Sequence, residues 1–146
     1  MSFNDIRRVL QEHPSRRFGA GASDDEIGQA EIALEVEFPD SYRLFLAEFG
    51  WGGAGDFDLF GLGTDVLPGL NVVEVTISER SQMMPLTPKH LVPVMNDGGG
   101  NLYCLDTQRI SADGDCPVVI QDHALDEIDH ISDSFLTWLE EWMEDA

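Results

Sequence analysis

The sequence feature that most constrains the fold is a run of three glycines at 98–100, enclosed by two apolar segments. The segments 91–95 (LVPVM) and 101–105 (NLYCL) are short and rich in residues that favour strands. Asp97 and Asn101 border the glycines, and residues of these types stabilise turns that need positive φ angles. The stretch therefore predicts a tight hairpin between two antiparallel strands of the core.

The same stretch, NDGGGNLYCLD, has to be weighed as a ligand-binding loop. A phosphate-binding loop needs a Lys and a Ser or Thr at the start of a following helix, and a dinucleotide-binding loop needs that helix too. A predicted strand follows the glycines here, so both kinds of site are excluded. Oxygen donors for calcium occur at Asp97, Asn101 and Asp106, and again at Asp113 and Asp115, but neither group has the ligand spacing of an EF-hand loop. We therefore favour the hairpin.

The chain has two cysteines, Cys104 and Cys116, and the first lies on the second strand of this hairpin. Because successive residues of a strand point to opposite faces, Tyr103 and Leu105 should share one face, and Leu102 and Cys104 the other. We expect both cysteines to be buried as small apolar residues. Two cysteines do not make a disulfide framework, so we expect a cytoplasmic protein in a reducing compartment.

Helical patterns dominate the first half of the chain. Ser23 and Glu26 have the spacing of a capping box, in which each side chain bonds the other residue's backbone at a helix start. Pro39 suits the first position of a further helix, since its missing N–H would have no partner there. The predicted elements are a helix over 3–12, a flexible connector over 16–22, two helices that begin near Ser23 and Pro39, and a loop with a short strand over 50–63.

The segment 71–80 is ambiguous. Its run of β-branched residues favours a strand. Asn71, with Glu74 three residues later, resembles the N-cap of a helix. We favour the helix.

Strand patterns begin at residue 91, and a helix closes the chain. After the hairpin, 117–121 (PVVIQ) and 127–131 predict two further strands. Apolar residues then recur at i, i+3, i+4, i+7 and i+8 over 135–143, which predicts an amphipathic helix. Helices, then strands, then a helix predict an α+β fold with a central, mostly antiparallel sheet. We expect a single domain over residues 1–146.

Charge is the strongest compositional signal. The chain has 28 acidic and 8 basic residues, and its formal net charge is −20. Residues 90–146 hold 13 acids against Arg109 alone. Such a surface repels nucleic acid and anionic membranes and attracts a basic partner, although solubility alone is an alternative purpose for the charge. The apolar runs are also far shorter than the roughly 20 residues that span a bilayer.

Residues of the catalytic types are scattered along the sequence. None of the four histidines belongs to an HExxH motif or another compact set of metal ligands. Asp122 and His123 are candidate partners for a nucleophile at Cys104 or Ser134, but neither nucleophile lies in a recognisable elbow or family signature. We therefore expect no enzymatic activity, no metal and no cofactor.

Four stretches together resemble the SUKH superfamily, which includes the yeast cell-wall-synthesis regulator and many bacterial relatives. The first signature is similar to 27–34 (IGQAEIAL) and 38–50 (FPDSYRLFLAEFG), and the second to 92–106 (VPVMNDGGGNLYCLD) and 117–123 (PVVIQDH). The stretches follow the family's order and cover about residues 24–140. Glu35 departs from the glycine that many members have after the leucine, which affects only how that helix ends.

This resemblance implies an α+β fold in which 71–80 is helical, and it implies binding rather than catalysis. Bacterial members resemble immunity proteins, which bind and neutralise a cognate toxin, often a nuclease with a basic groove. The alternative is a regulatory or scaffolding module that docks an endogenous partner. No motif specifies the contact residues, and a solvated acidic face is the alternative for each of them. Our candidate partner-binding residues are Trp51, Asp56, Asp58, Asp126, Glu127 and Asp129.

Overall fold

The computed structural model describes residues 2–55 and 57–145. Its helices form where apolar residues recur at helical spacing, and none of them is long and apolar enough to cross a bilayer. The helices of this described part are α1 (Phe3–Glu12), α2 (Asp24–Leu34), α3 (Asp40–Glu48), α4 (Val72–Ser81) and α5 (Phe135–Asp145), with a short 3-10 turn at Thr107–Arg109.

The strands form two sheets in which all neighbouring strands are antiparallel. A three-stranded sheet has the order β1–β2–β3, and a four-stranded sheet has the order β4–β5–β6–β7. The strands are β1 (Arg17–Phe18), β2 (Gly52–Ala54), β3 (Phe57–Leu59), β4 (Leu91–Asn96), β5 (Asn101–Asp106), β6 (Val118–Asp122) and β7 (Glu127–Ser132). The α+β prediction is confirmed, with helices first, a central antiparallel sheet and a C-terminal helix.

The helix starts follow from local side-chain bonds. The capping box at α2 is present, since the Glu26 amide donates to Ser23 Oγ at 3.1 Å and the Ser23 amide donates to Glu26 Oε1 at 3.1 Å. Asn71 caps α4 by accepting from the amides of Val73 and Glu74, and this confirms the helix over the strand alternative. At α3, Pro39 is the N-cap residue and has an extended backbone, whereas it was predicted at the first helical position. The helix itself begins one residue later, at Asp40.

The predicted flexible connector after α1 is wrong in part, because it contains strand β1. Arg17 pairs with Gly53 and Phe18 with Gly52 across the two strands. Gly52 has a φ of 126°, and a Cβ there would lie 2.0 Å from the Arg17 carbonyl oxygen. Only a glycine permits this close approach. The pairing joins residues more than thirty positions apart, so no local pattern indicates it.

The glycine run forms the predicted hairpin between β4 and β5. Gly98 and Gly100 adopt positive φ angles of 79° and 95°. Asp97 Oδ1 accepts from the amides of Gly99 at 2.7 Å and Asn101 at 3.2 Å, which holds the turn. Burial opposes ionisation of Asp97, but these bonds and one from the Asn101 side chain lower the pKa of this carboxyl below its usual value.

The four-stranded sheet has a different apolar cluster on each face. Tyr103 and Leu105 belong to the main core, where α5 covers the sheet and the rings of Tyr103 and Trp138 lie 5.5 Å apart. Leu102 and Cys104 belong to a smaller cluster on the opposite face. The predicted division of β5 side chains between two faces is confirmed, and the sheet is covered on both sides at its centre.

Candidate functional site

The residues predicted to contact a partner lie in separate places. Trp51 is buried, with 8% of its surface exposed, between the three-stranded sheet and the loop after β3. Its indole Nε1 donates to Asp65 Oδ1 at 3.1 Å, and a Cβ on Gly19 would lie 2.3 Å from that nitrogen. The ring therefore fills a space within this fold, and a partner contact at Trp51 stays a prediction.

The two aspartates predicted nearby are not a free acidic pair. Asp58 lies on β3, where the Arg17 guanidinium donates to its Oδ1 at 2.9 Å and 28% of its side chain is exposed. The predicted contact at Asp56 lies outside the described residues. Since Arg17 already neutralises Asp58, the three-stranded sheet contributes little net negative charge at this point.

The other three candidates lie together at the tip and on the outer strand of the β6–β7 hairpin. Asp126 occupies the turn with a φ of 49°, while Glu127 and Asp129 lie on β7. Asp122 shapes this turn, because its Oδ1 accepts from the amides of Ala124 and Leu125. All three candidate acids are exposed. We call residues 125–131 the acidic edge.

Apolar side chains accompany these acids, and the sequence reasoning did not select them. Leu125, Ile128 and Ile131 are exposed by 65%, 44% and 44%. The sequence carried no signal for their exposure, because an isoleucine between two acids in the segment EID is also the pattern of a strand with one buried and one solvated face. Exposed apolar groups inside a charged surface are typical of interaction sites.

The charge of this surface is not balanced from within the molecule. Residues 110–146 contain eleven acids and no Lys or Arg. Three of the cations before residue 90 are in ion pairs of their own, Arg7 with Glu48, Arg43 with Glu31 and Lys89 with Glu35. Helix α5 packs against β7 and carries further acids. These are Glu140, Glu141 and Glu144.

The candidate nucleophiles have structural roles. Cys104 is fully buried, and burial, with the nearby Glu79 carboxylate, raises the pKa of its thiol far above the usual value. His123 Nε2 lies 3.6 Å from Glu79 Oε1, so this imidazole is paired with a carboxylate behind the sheet. Ser134 Oγ accepts from the Thr137 amide at 3.1 Å in the first turn of α5. Cys104 is thus enclosed in the core, and the Ser134 hydroxyl serves as a helix cap.

One acid considered as a calcium donor is committed to the fold as well. Asp115 is buried, and its Oδ1 accepts from the Phe135 amide at 2.8 Å and from Ser41 Oγ at 2.9 Å. Its Oδ2 accepts from the Leu136 amide at 3.3 Å, so Asp115 caps the N-terminus of α5 from a distant loop. Within residues 2–55 and 57–145, no group of three or more His, Cys, Asp or Glu side chains is placed to hold a metal ion.

Comparison with known proteins identifies the family. The SUKH_5 family model, described as SMI1-KNR4 cell-wall, matches residues 3–144. The chain belongs to the SUKH family. A crystal structure of a protein from Pseudomonas syringae pv. tomato has a similar fold, with a TM-score of 0.72 and 19% sequence identity over 97% of this chain and 98% of that one. In this SUKH protein, the acidic edge combines exposed acids with exposed apolar side chains.

Proposed function

We propose that this SUKH protein is an immunity protein that binds and neutralises a cognate bacterial toxin in the cytoplasm, without catalysis. The observation that carries the proposal is the acidic edge, where the exposed acids Asp126, Glu127 and Asp129 lie beside exposed apolar residues and no Lys or Arg lies nearby in sequence. Family membership supports a role in binding. The toxin we expect is a nuclease, because a nuclease holds its substrate phosphates in a basic groove.

Electrostatics favours this pairing in two ways. A protein of net charge −20 accelerates its encounter with a basic surface, and charges of opposite sign align the two surfaces before they touch. The apolar side chains Leu125, Ile128 and Ile131 then supply area that loses water in the complex. Charge therefore governs the rate of association, and apolar burial slows dissociation.

The contact surface that we propose differs from the one expected from sequence. It centres on Asp126, Glu127 and Asp129, and Asp58 is a secondary contact because its ion pair with Arg17 must open first. Trp51 is left out of it, since the ring is buried. Leu125 and Ile128 are added to it.

A second candidate function is a regulatory or scaffolding module with a partner from the same cell. The cell-wall description of the matching family favours it. The two functions differ in the partner, so the genes beside this one distinguish them. A toxin gene next to it favours immunity, and its absence favours the regulatory module.

The test is co-expression of this protein with the toxin domain encoded beside it. We expect the two to co-purify as a stable complex and the cells to survive expression of the toxin. Failure to bind, or binding without protection, would contradict the proposal.

Two charge variants make the test specific, since both neutralise three exposed acids with side chains of similar size. The edge variant carries Asp126→Asn, Glu127→Gln and Asp129→Asn. The helix variant carries Glu12→Gln, Asp24→Asn and Asp25→Asn on the N-terminal helices. We expect the edge variant to weaken the complex by about 2 kcal/mol or more, and the helix variant to change it by a few tenths. Equal weakening would show that only net charge matters.

A further inference from the structure

The hydrogen-bond pattern of the four-stranded sheet determines which backbone groups of β7 face outward. The His123 amide donates to the Gly100 carbonyl, and the Asp106 amide donates to the Pro117 carbonyl. Both hydrogen bonds belong to the β5–β6 ladder. The backbone N–H and C=O groups of odd-numbered β6 residues therefore bond to β5, and those of even-numbered β6 residues face β7.

This alternation continues into β7. Ile120 is opposite Asp129, and Asp122 is opposite Glu127, so those two β7 residues direct their N–H and C=O groups inward to β6. Ile128 lies between them, and it directs its N–H and C=O away from the sheet. His130, on the other side of Asp129, also directs its N–H and C=O away from the sheet. The outer edge of β7 therefore presents two donors and two acceptors to an additional strand.

The two outer edges of the sheet differ in their protection. On β4 the Val94 carbonyl accepts from the Phe60 amide at 2.8 Å, and Pro93 lacks a donor. Strand β7 has neither a Pro nor a Lys, the residues that commonly block an edge. Its sequence, EIDHIS, is six residues long and exposed as far as Ile131.

The side chains of β7 suggest what could pair there. Glu127 and Asp129 are on one face of the strand, and Ile128 and His130 are on the other. A second copy of the chain would bring its own Glu127 and Asp129 close to these acids, and like charges opposite each other destabilise strand pairs. A cationic strand would gain favourable pairs at the same positions.

We propose that β7 accepts an extended segment of the partner as a fifth antiparallel or parallel strand. The segment alternates Lys or Arg, which face Glu127 and Asp129, with β-branched apolar residues, which face Ile128. Its backbone bonds to the N–H and C=O groups of Ile128 and His130. This inference rests on the proposed function, because it specifies how the basic partner is held.

The experiment uses a synthetic peptide of alternating Lys and Val, in about 20 mM salt so that charge pairing is weakly screened. Amide hydrogen exchange and NMR shifts of the whole protein are measured during titration. We expect slower exchange at the Ile128 and His130 amides, and no change at the already bonded Glu127 and Asp129 amides. Absence of binding, or binding without this pattern of protection, would overturn the inference.

A chemical control and a variant isolate the backbone contribution. The same peptide with N-methyl groups on alternate amides keeps its charge but loses donors, and it should bind about tenfold or more weakly. Ile128→Pro removes an outward N–H without breaking the β6 ladder, and it should weaken binding similarly, whereas Ile128→Val should not. If the methylated peptide binds as well as the unmodified one, the contact is purely electrostatic and strand addition is wrong.

Two further measurements distinguish strand addition from self-association and from the proposed immunity function. Sedimentation of the protein alone should show a monomer, and a dimer with protected Ile128 and His130 amides would assign the edge to a second copy instead. Co-purification with the toxin domain tests the proposed function independently of the peptide. A toxin complex that forms equally well with Ile128→Pro would support immunity and refute strand addition.

Discussion

Asp97 and the glycines that follow it together form the turn between β4 and β5. The carboxylate binds two amides of the turn, while Gly98 and Gly100 supply the positive φ angles. Gly99 lies between them without a positive φ, and a Cβ there would come no closer than 3.4 Å to Asp97. Three consecutive glycines therefore have unequal roles.

The unequal roles give a prediction for three alanine variants. Gly98→Ala and Gly100→Ala should each lower the free energy of unfolding by about 1 kcal/mol, because a Cβ strains the left-handed backbone. Gly99→Ala should change it by less than about 0.5 kcal/mol. Denaturant unfolding measures all three. Similar losses in the three variants would contradict the assignment of the cost to positive φ.

Asp115 shows how one buried carboxylate can connect distant parts of the chain. Asp115→Ala should lower the free energy of unfolding by about 2–3 kcal/mol, since the amides of Phe135 and Leu136 and the Ser41 hydroxyl lose their acceptor. The matched control is Asp113→Ala, an exposed acid two residues earlier, with an effect below about 0.5 kcal/mol. An equally small effect at Asp115 would contradict its assignment as the cap of α5.

At the scale of elements, α4 packs against one face of the four-stranded sheet and carries a buried titratable residue, Glu79. Burial raises the pKa of Glu79 above its usual value, and the nearby His123 opposes that shift. A folded protein that holds this proton more tightly than the unfolded chain is less stable as pH rises. The stability tied to protonated Glu79 is complete below about pH 4 and is lost at higher pH.

Glu79→Gln tests this contact between elements. Below about pH 4 both proteins carry a neutral side chain at position 79, so their free energies of unfolding should agree. As pH rises towards 7, the variant should become the more stable of the two. Urea unfolding across this pH range gives the difference. A variant that loses stability relative to the parent as pH rises would show that the pairing with His123 outweighs burial.

Most elements were predictable because their signals are local. The capping box, the Asn71 cap and the glycine run act within a few residues, and each predicted element type there is confirmed. Strand β1 was not predictable, because Arg17 and Phe18 acquire strand geometry only from β2. The burial of Trp51 was not predictable for a similar reason, since Gly19 and Asp65 enclose it from distant parts of the sequence.

At the scale of the whole molecule, the sequence indicated that the C-terminal part is strongly acidic. It did not indicate how the acidic surface is arranged. The absence of Lys and Arg after Arg109 predicts an acidic surface. The predicted strand already places Glu127 and Asp129 on one face and Ile128 on the other, but only the sheet order shows that this is an outer strand. The β6–β7 register determines which backbone N–H and C=O groups of β7 face outward. No pattern of residue types specifies this.

The central claim is that the acidic edge steers and holds a basic toxin. The most direct measurement is the association rate constant with the toxin domain encoded beside this gene, followed from about 50 to 500 mM salt by stopped-flow fluorescence. We predict a fall of about tenfold or more for the parent protein and the helix variant, and a much flatter dependence for the edge variant. A flat dependence for the parent, or curves for the two variants that coincide, would contradict the claim.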